Sequence, residues 1–199
     1  MPFVGLTGGM GAGKSTALAA LERLGAAVLS SDAVVHELYA HDAQLRDAVV
    51  GRWGAQVAPG GVVDRSAVAE RAFASAEERA WLEGLLWPLV GARVAAWLSE
   101  ARAARAGDAE APRAAIVEVP LLFEAGLEGL YDATIAVVSD ETVRRERASA
   151  RGHALADERS ARQLSQEEKA RRATYVVRND GSEQELEQVL SAVLDKLEA

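Results

Sequence analysis

Apolar positions along the chain fall into short continuous runs, separated by stretches in which they recur every three or four residues. Residues 3–7 form such a run, which ends in glycines; Leu18, Leu21 and Leu24 follow at helical spacing, with Gly25 as a stop signal. This predicts strand, glycine turn, helix. Residues 26–30 predict a second buried strand, so a β-α-β unit is complete by residue 32. From about 33 to 105 the apolar spacing is helical; Ser75 and Glu78 have capping-box spacing, and Pro88 is expected to break or restart the helix they open. Residues 107–112 predict a loop, and apolar runs at 114–119, 133–138 and 174–178 predict three more strands. An arginine-rich helix capped by Ser139 or Asp140 should end near Gly152, and Ser165 and Ser182 each stand three residues before a glutamate that completes a helix-capping pattern. Nearly all-apolar strands alternating with helices indicate an α/β fold: a five-stranded parallel sheet flanked by helices on both faces.

The composition narrows the function classes. With 199 residues, 49% of them apolar, the chain can bury one sizeable core with a small appended lobe. A net charge of −8 argues against coating nucleic acid or an anionic membrane, and any anionic ligand must find local positive charge. There is no cysteine, hence no disulfide framework, thiolate zinc site or cysteine nucleophile. No basic start leads into a long apolar stretch, and no segment approaches the ~20 apolar residues of a membrane span. The expectation is a soluble, cytoplasmic protein with no nucleic-acid or membrane partner. His36, His41 and His153 lack metal-ligand spacing and are expected to be structural or solvated.

The chemistry is carried by Gly8-Gly9-Met10-Gly11-Ala12-Gly13-Lys14-Ser15, which fits G-x-x-x-x-G-K-[ST] between a predicted strand and a predicted helix. Glycines let the backbone wrap an anion, the helix N-terminus adds its positive dipole end, Lys14 can reach the outer phosphates and the Ser15 hydroxyl can ligate Mg²⁺. Asp32 follows the second strand. In a parallel sheet, ligands sit at the carboxyl ends of the strands, so this carboxylate should face phosphates bound after the first. It can accept a proton from an attacking hydroxyl, hold a Mg²⁺ water, or simply cap a helix. Neither Lys169 nor Lys196 stands in an Asn-Lys-x-Asp base-reading motif, which disfavours a GTPase. Among the arginines of the C-terminal half, Arg147 and Arg151 share one helix face by their spacing and could clamp a triphosphate, against the alternative of a solvated face paired to Glu141, Glu146 and Glu158. Arg65, after the N-cap Asp64, is either an ordinary surface residue or a contact to an acceptor phosphate, and Glu118, near the end of the third strand, could hold a Mg²⁺ water.

Residues 5–15, then Ser31-Asp32-Ala33, Val63-Asp64-Arg65 running to Phe73, Val119-Pro-Leu-Leu-Phe-Glu124, Gln163, Lys169 and Val177-Arg-Asn-Asp-Gly181 together resemble the dephospho-CoA kinase family over essentially the whole chain. The resemblance implies a P-loop kinase fold of one domain over residues 1–199, with a helical acceptor-binding insertion at about 33–106 and a small lid at about 152–163. It implies transfer of the ATP γ-phosphate to the ribose 3′-hydroxyl of dephospho-CoA, with Mg²⁺, as the final step of coenzyme A synthesis. By the same resemblance Asp32 matches the general base and Gly8, Gly9, Met10, Gly11, Ala12, Gly13, Lys14, Ser15 and Thr16 bind ATP. Lys14 and Arg147 assist the transfer, Arg147 and Arg151 match arginines near the lid, Asn179 is an adenine-side candidate, and Leu121 and Leu122 line the acceptor site. One departure is visible: relatives usually carry His before the proline at the position held here by Trp87. A kinase for another small hydroxyl-bearing metabolite and a non-catalytic ATP-binding regulator share the generic features.

Overall fold

The computed structural model describes residues 1–105, 111–144 and 163–198. In chain order its elements are β1 (Phe3–Gly8), α1 (Lys14–Arg23), β2 (Ala27–Ser30), α2 (Ser31–His41), α3 (Ala43–Trp53), α4 (Arg65–Phe73), α5 (Ala76–Arg105), β3 (Ala115–Glu118), β4 (Ala133–Val138), α6 (Gln166–Arg172), β5 (Tyr175–Arg178) and α7 (Glu183–Glu198). The chain divides into two compact units, Met1–Ser30 with Leu98–Ala199, and Ser31–Trp97.

The first unit is built on one parallel sheet in the order β2-β3-β1-β4-β5. All five expected strands are present, three of them trimmed by a residue or two at their ends. The inner strands are buried almost throughout, as continuous apolar runs require when both faces are covered. Val4 and Leu6 of β1 join Ile116, Ile135 and Val137 from the neighbouring strands, and Leu21 of α1 and Leu186, Leu190 and Leu194 of α7 close that face. Each such leucine contributes on the order of 1.5–3 kcal/mol by leaving water. Because strand side chains alternate, Gly5 belongs to the opposite face. A Cβ there would lie 2.4 Å from Leu122 Cδ1 and 3.1 Å from the Tyr131 ring, so these two side chains occupy the space above the central strand.

Reciprocal capping forms at α7: Ser182 Oγ accepts from Glu185 N at 3.2 Å, and Ser182 N donates to the Glu185 carboxylate at 2.8 Å. At α6, Ser165 Oγ accepts from Glu168 N at 3.1 Å.

The second unit is helical. Asp42 caps α3 by accepting from Leu45 N at 2.9 Å, and Asp64 caps α4 by accepting from Ser66 N at 2.8 Å. The Ser75 pattern is realised by half. Ser75 Oγ accepts from Glu78 N at 3.1 Å, but the Glu78 carboxylate turns away to take the Arg52 guanidinium at 2.9 Å and Trp53 Nε1 at 2.6 Å. Those two donors, Arg52 first, hold its carboxyl below the usual glutamate range. Tertiary partners outcompete the local cap because two side-chain donors, one of them charged, replace a single backbone N–H. Trp53 meets the Trp81 ring edge-on at 5.0 Å, and the Arg52 guanidinium lies 5.4 Å from the same ring.

Pro88 corrects an expectation: α5 runs as one helix of 30 residues straight through it. A proline in a helix interior removes one N–H and presses on the carbonyl four residues earlier, at about 3 kcal/mol. Strong helix formers on both sides make continuing cheaper than ending the helix twice. The expected loop at 107–112 falls largely outside the described residues.

Two measurements check this architecture. Gly5→Ala should destabilise the protein by about 1–3 kcal/mol through overpacking against Leu122 and Tyr131, read as a lower urea midpoint at unchanged m. Burial pushes the phenols of Tyr131 and Tyr39 up to about 12, with Arg65 pulling the other way on Tyr39. The folded state then holds these protons more tightly than the unfolded chain, whose tyrosines titrate near 10. The resulting stability is complete below pH ~10 and is lost as the pH rises towards ~12. Urea titrations at stepped alkaline pH should show that decline; constant stability across the window would contradict it.

Candidate active site

β1 delivers the glycine loop to the carboxyl end of the sheet, where Gly8 is still paired in register with Val137 of β4. Two glycines then adopt left-handed backbone, Gly11 at φ 75 and Gly13 at φ 89. That conformation favours glycine. At Gly11 a side chain is also excluded by space, since a Cβ would stand 2.6 Å from the Arg144 carbonyl oxygen. Gly13 is the N-cap of α1 and has no side-chain cap, and the first turn of α1 carries no acidic residue. The positive end of the helix is therefore presented to whatever occupies the loop.

The loop is shaped by bonds from several parts of the chain. Lys14 Nζ donates to the carbonyls of Gly8 at 3.1 Å and Gly9 at 3.2 Å, and Ala12 N donates to Gly9 O at 3.2 Å. Asn179, buried just beyond β5, donates from Nδ2 to Ala12 O at 2.9 Å, while its own N–H goes to Val138 O at 2.8 Å. Arg144, in a helical turn at residues 141–144, donates from Nε to Met10 O at 3.0 Å. Gln166 brackets Ser139, accepting from its N–H at 3.0 Å and donating to its carbonyl at 2.9 Å. The Gln166 side chain and the Arg144 guanidinium both lie over Gly9, where a Cβ would come within 3.2 Å and 3.6 Å of them. An open helix N-terminus with Lys14 and Arg144 at one loop gathers positive charge in a chain of net charge −8, as a polyphosphate requires.

Ser15 is exposed at the start of α1, with Thr16 partly buried behind it. Among the described residues no cluster of three or more His, Asp or Glu could hold a metal ion. A divalent cation would need the Ser15 hydroxyl and ligand phosphates, and an exposed hydroxyl in the first turn after the glycines fits that demand. Glu118 ends β3 in register with Leu6 and Ser30. Asp32 is exposed at the second position of α2, two residues beyond the end of β2. Four positions on, His36 shares its helix face, and Arg65 Nη1 lies 2.7 Å from His36 Nδ1.

Leu121 and Leu122 part company: Leu121 is accessible, whereas Leu122 is fully buried against Gly5. Trp87 is exposed. Arg147, Arg151 and residues 152–162 lie outside the described residues; Gln163 at the end of the expected lid lies within them. Spacing along the arginine-rich segment singled out Arg147 and Arg151 and gave no signal for Arg144, which among the described residues meets the loop. Gln166 had no signal beyond its place in a capping pattern.

No helix among the described residues is long and apolar enough to cross a membrane. The family model described as dephospho-CoA kinase matches residues 2–185. A dephospho-CoA kinase of Deinococcus radiodurans is 39% identical over 98% of this chain and 92% of its own. A crystal structure from Thermus thermophilus superposes with a TM-score of 0.79 at 34% identity, covering 98% of both chains. The dephospho-CoA kinase of Campylobacter jejuni shares the fold, with a TM-score of 0.69 at 21% identity over 98% of this chain and 96% of that one. With the family model spanning the glycine loop, all five strands and the turn that carries Leu121, the chain belongs to the dephospho-CoA kinase family.

Proposed function

We infer that this chain carries out the reaction of its family, ATP-dependent phosphorylation of dephospho-CoA at the ribose 3′-hydroxyl to give coenzyme A and ADP. The observation that supports it most is the loop itself: left-handed glycines lead into an uncapped helix N-terminus, with Lys14 drawn over the loop carbonyls. In this reading the residues from Gly8 to Thr16 cradle the ATP phosphates, Lys14 reaches the outer ones, and Arg144 adds a second cation beside the loop. Ser15 would hold Mg²⁺, which supplies charge neutralisation between the phosphates when bound. Asp32 accepts the proton of the attacking hydroxyl, and its exposed position at the start of α2 leaves it open to an acceptor. The helical unit Ser31–Trp97 is assigned to the acceptor, with Arg65 towards its phosphates and Leu121 as an apolar wall. Leu122, being core, supports that wall from behind. Asn179 holds the adenine side of the loop through Ala12, and Arg147 and Arg151 remain assigned to the nucleotide, near a lid at about 152–163. Catalysis is then positioning and charge neutralisation around a bound small molecule, in a cytoplasmic setting and without nucleic-acid or membrane partners.

The decisive experiment is phosphate transfer from γ-labelled ATP with Mg²⁺ to dephospho-CoA, with adenosine, shikimate and nucleoside monophosphates as parallel acceptors. Selective labelling of dephospho-CoA is expected. Labelling of another acceptor would keep the site and discard the substrate, and ATP binding without transfer would make the protein a regulator. Asp32→Asn should lower kcat by about 10²-fold or more with ATP affinity nearly unchanged. Arg144→Ala should raise the KM for ATP by about tenfold, the ~1.4 kcal/mol of one charge-assisted contact, while the acceptor KM stays within about twofold. An unchanged KM for ATP would remove Arg144 from nucleotide binding.

A further inference from the structure

Lys169 is the largest fully buried side chain in the described protein, although it carries an ammonium group on a short surface helix, α6. Its Nζ donates to Pro120 O at 2.7 Å and lies 3.0 Å from Glu124 Oε1. Glu124 Oε1 also accepts from Leu164 N at 2.8 Å, in the segment that leads into α6. Pro120 O accepts a second bond from the Thr7 hydroxyl at 3.3 Å, and Thr7 is the buried residue immediately before the glycine loop. One residue earlier, Val119 N donates to Leu6 O at 2.8 Å. The ammonium thus ties α6, whose Gln166 lies over Gly9, to the turn after β3 that carries Leu121, and through the shared acceptor Pro120 O that turn also meets the end of β1 that launches the glycine loop.

A lysine buried for packing alone is a poor choice, since an apolar residue of similar length fills the same space without desolvating a charge. Burial pulls its pKa below the ordinary lysine range, with Glu124 opposing. What an apolar side chain lacks is the ability to bond Pro120 O and Glu124 together. Leu122 and Phe123 bury the far side of the turn and its own backbone bonds shape it, but from the side of α6 the turn is held at Pro120 O and the Glu124 carboxylate by Lys169 and Leu164 N, and among the described residues the second Glu124 oxygen is buried with no hydrogen-bond partner.

We propose that Lys169 is a positioning residue for the phosphoryl acceptor, holding the Pro120–Glu124 turn in fixed relation to the strand and helix that frame the glycine loop. The proposal rests on the kinase reading above and adds to it a residue that touches neither substrate. The glycine loop keeps its own bonds from Lys14, Asn179 and Arg144, so loss of Lys169 should fall on the acceptor and spare the nucleotide.

The test compares wild type, Lys169→Met and the double variant Lys169→Met with Glu124→Gln. The single variant strands a buried carboxylate and should lose thermal stability, whereas the double variant removes that charge, keeps an acceptor for Leu164 N and should recover most of it. In both, kcat/KM for dephospho-CoA should fall about 10- to 100-fold, mostly through the acceptor KM, with the Kd for ATP within about threefold of wild type. Recovery of acceptor kcat/KM together with Tm in the double variant would reduce Lys169 to a structural ion pair and overturn the proposal, as would an equal loss in ATP affinity. If Lys169→Met fails to fold, the double variant alone decides by the same split. Failure of the kinase reading shows separately, as absence of transfer to dephospho-CoA by the wild-type enzyme.

Discussion

The backbone from Gly8 to Lys14 keeps the shape of an anion cradle because groups from distant parts of the chain hold its carbonyls outward. Arg144 takes Met10 O, Asn179 takes Ala12 O, and Lys14 folds back onto Gly8 O and Gly9 O. With these carbonyls engaged, the uncapped start of α1 is left to a ligand. The rest of the first unit can be understood as the means of bringing these groups together. A parallel sheet with β1 at its centre places β4 and β5 on one side, so the residues just beyond their carboxyl ends, Arg144 and Asn179, arrive at the loop.

Packing sets how closely this can be done. Gly5 and Gly9 are small because Leu122 and Tyr131 sit over one and Gln166 and Arg144 over the other. Gly11 is limited twice, by its left-handed backbone and by the Arg144 carbonyl. These glycines admit the close approach of other segments, so Gly9 and Gly11 receive the Gln166 side chain and the turn at residues 141–144.

After β3 the structure separates an exposed leucine from a buried one. Leu121 is accessible and Leu122 is locked into the core against Gly5, so the turn that carries both is anchored directly to the strand that launches the glycine loop. Lys169 and Glu124 act on the same turn from the opposite direction, through Pro120 O and Leu164 N. In the helical unit the Glu78 carboxylate is likewise diverted from its local cap to Arg52 and Trp53. Both are cases of a charged group choosing long-range partners, since a buried or half-buried charge gains more from converging donors than from one helix-end amide.

The five strands, the phosphate loop, the serine and aspartate caps and the family were legible from the sequence, because each rests on local periodicity or on a motif whose residues are neighbours in the chain. The same local reasoning treated Pro88 as a break, did not single out Arg144, joined Leu121 to Leu122, and saw in Gln166 only its place in a cap. The last three of those outcomes depend on what lies across space: the return of residue 144 to Met10, the depth of Leu122 beneath Gly5, and the Ser139 backbone that Gln166 brackets. Sequence determined which segments are strands and where an anion binds, since backbone preference and motif chemistry act over a few residues. Tertiary structure alone decided which side chains are buried and which cations reach the loop, since burial and long-range bonds exist only once the sheet has brought residues more than a hundred positions apart into contact.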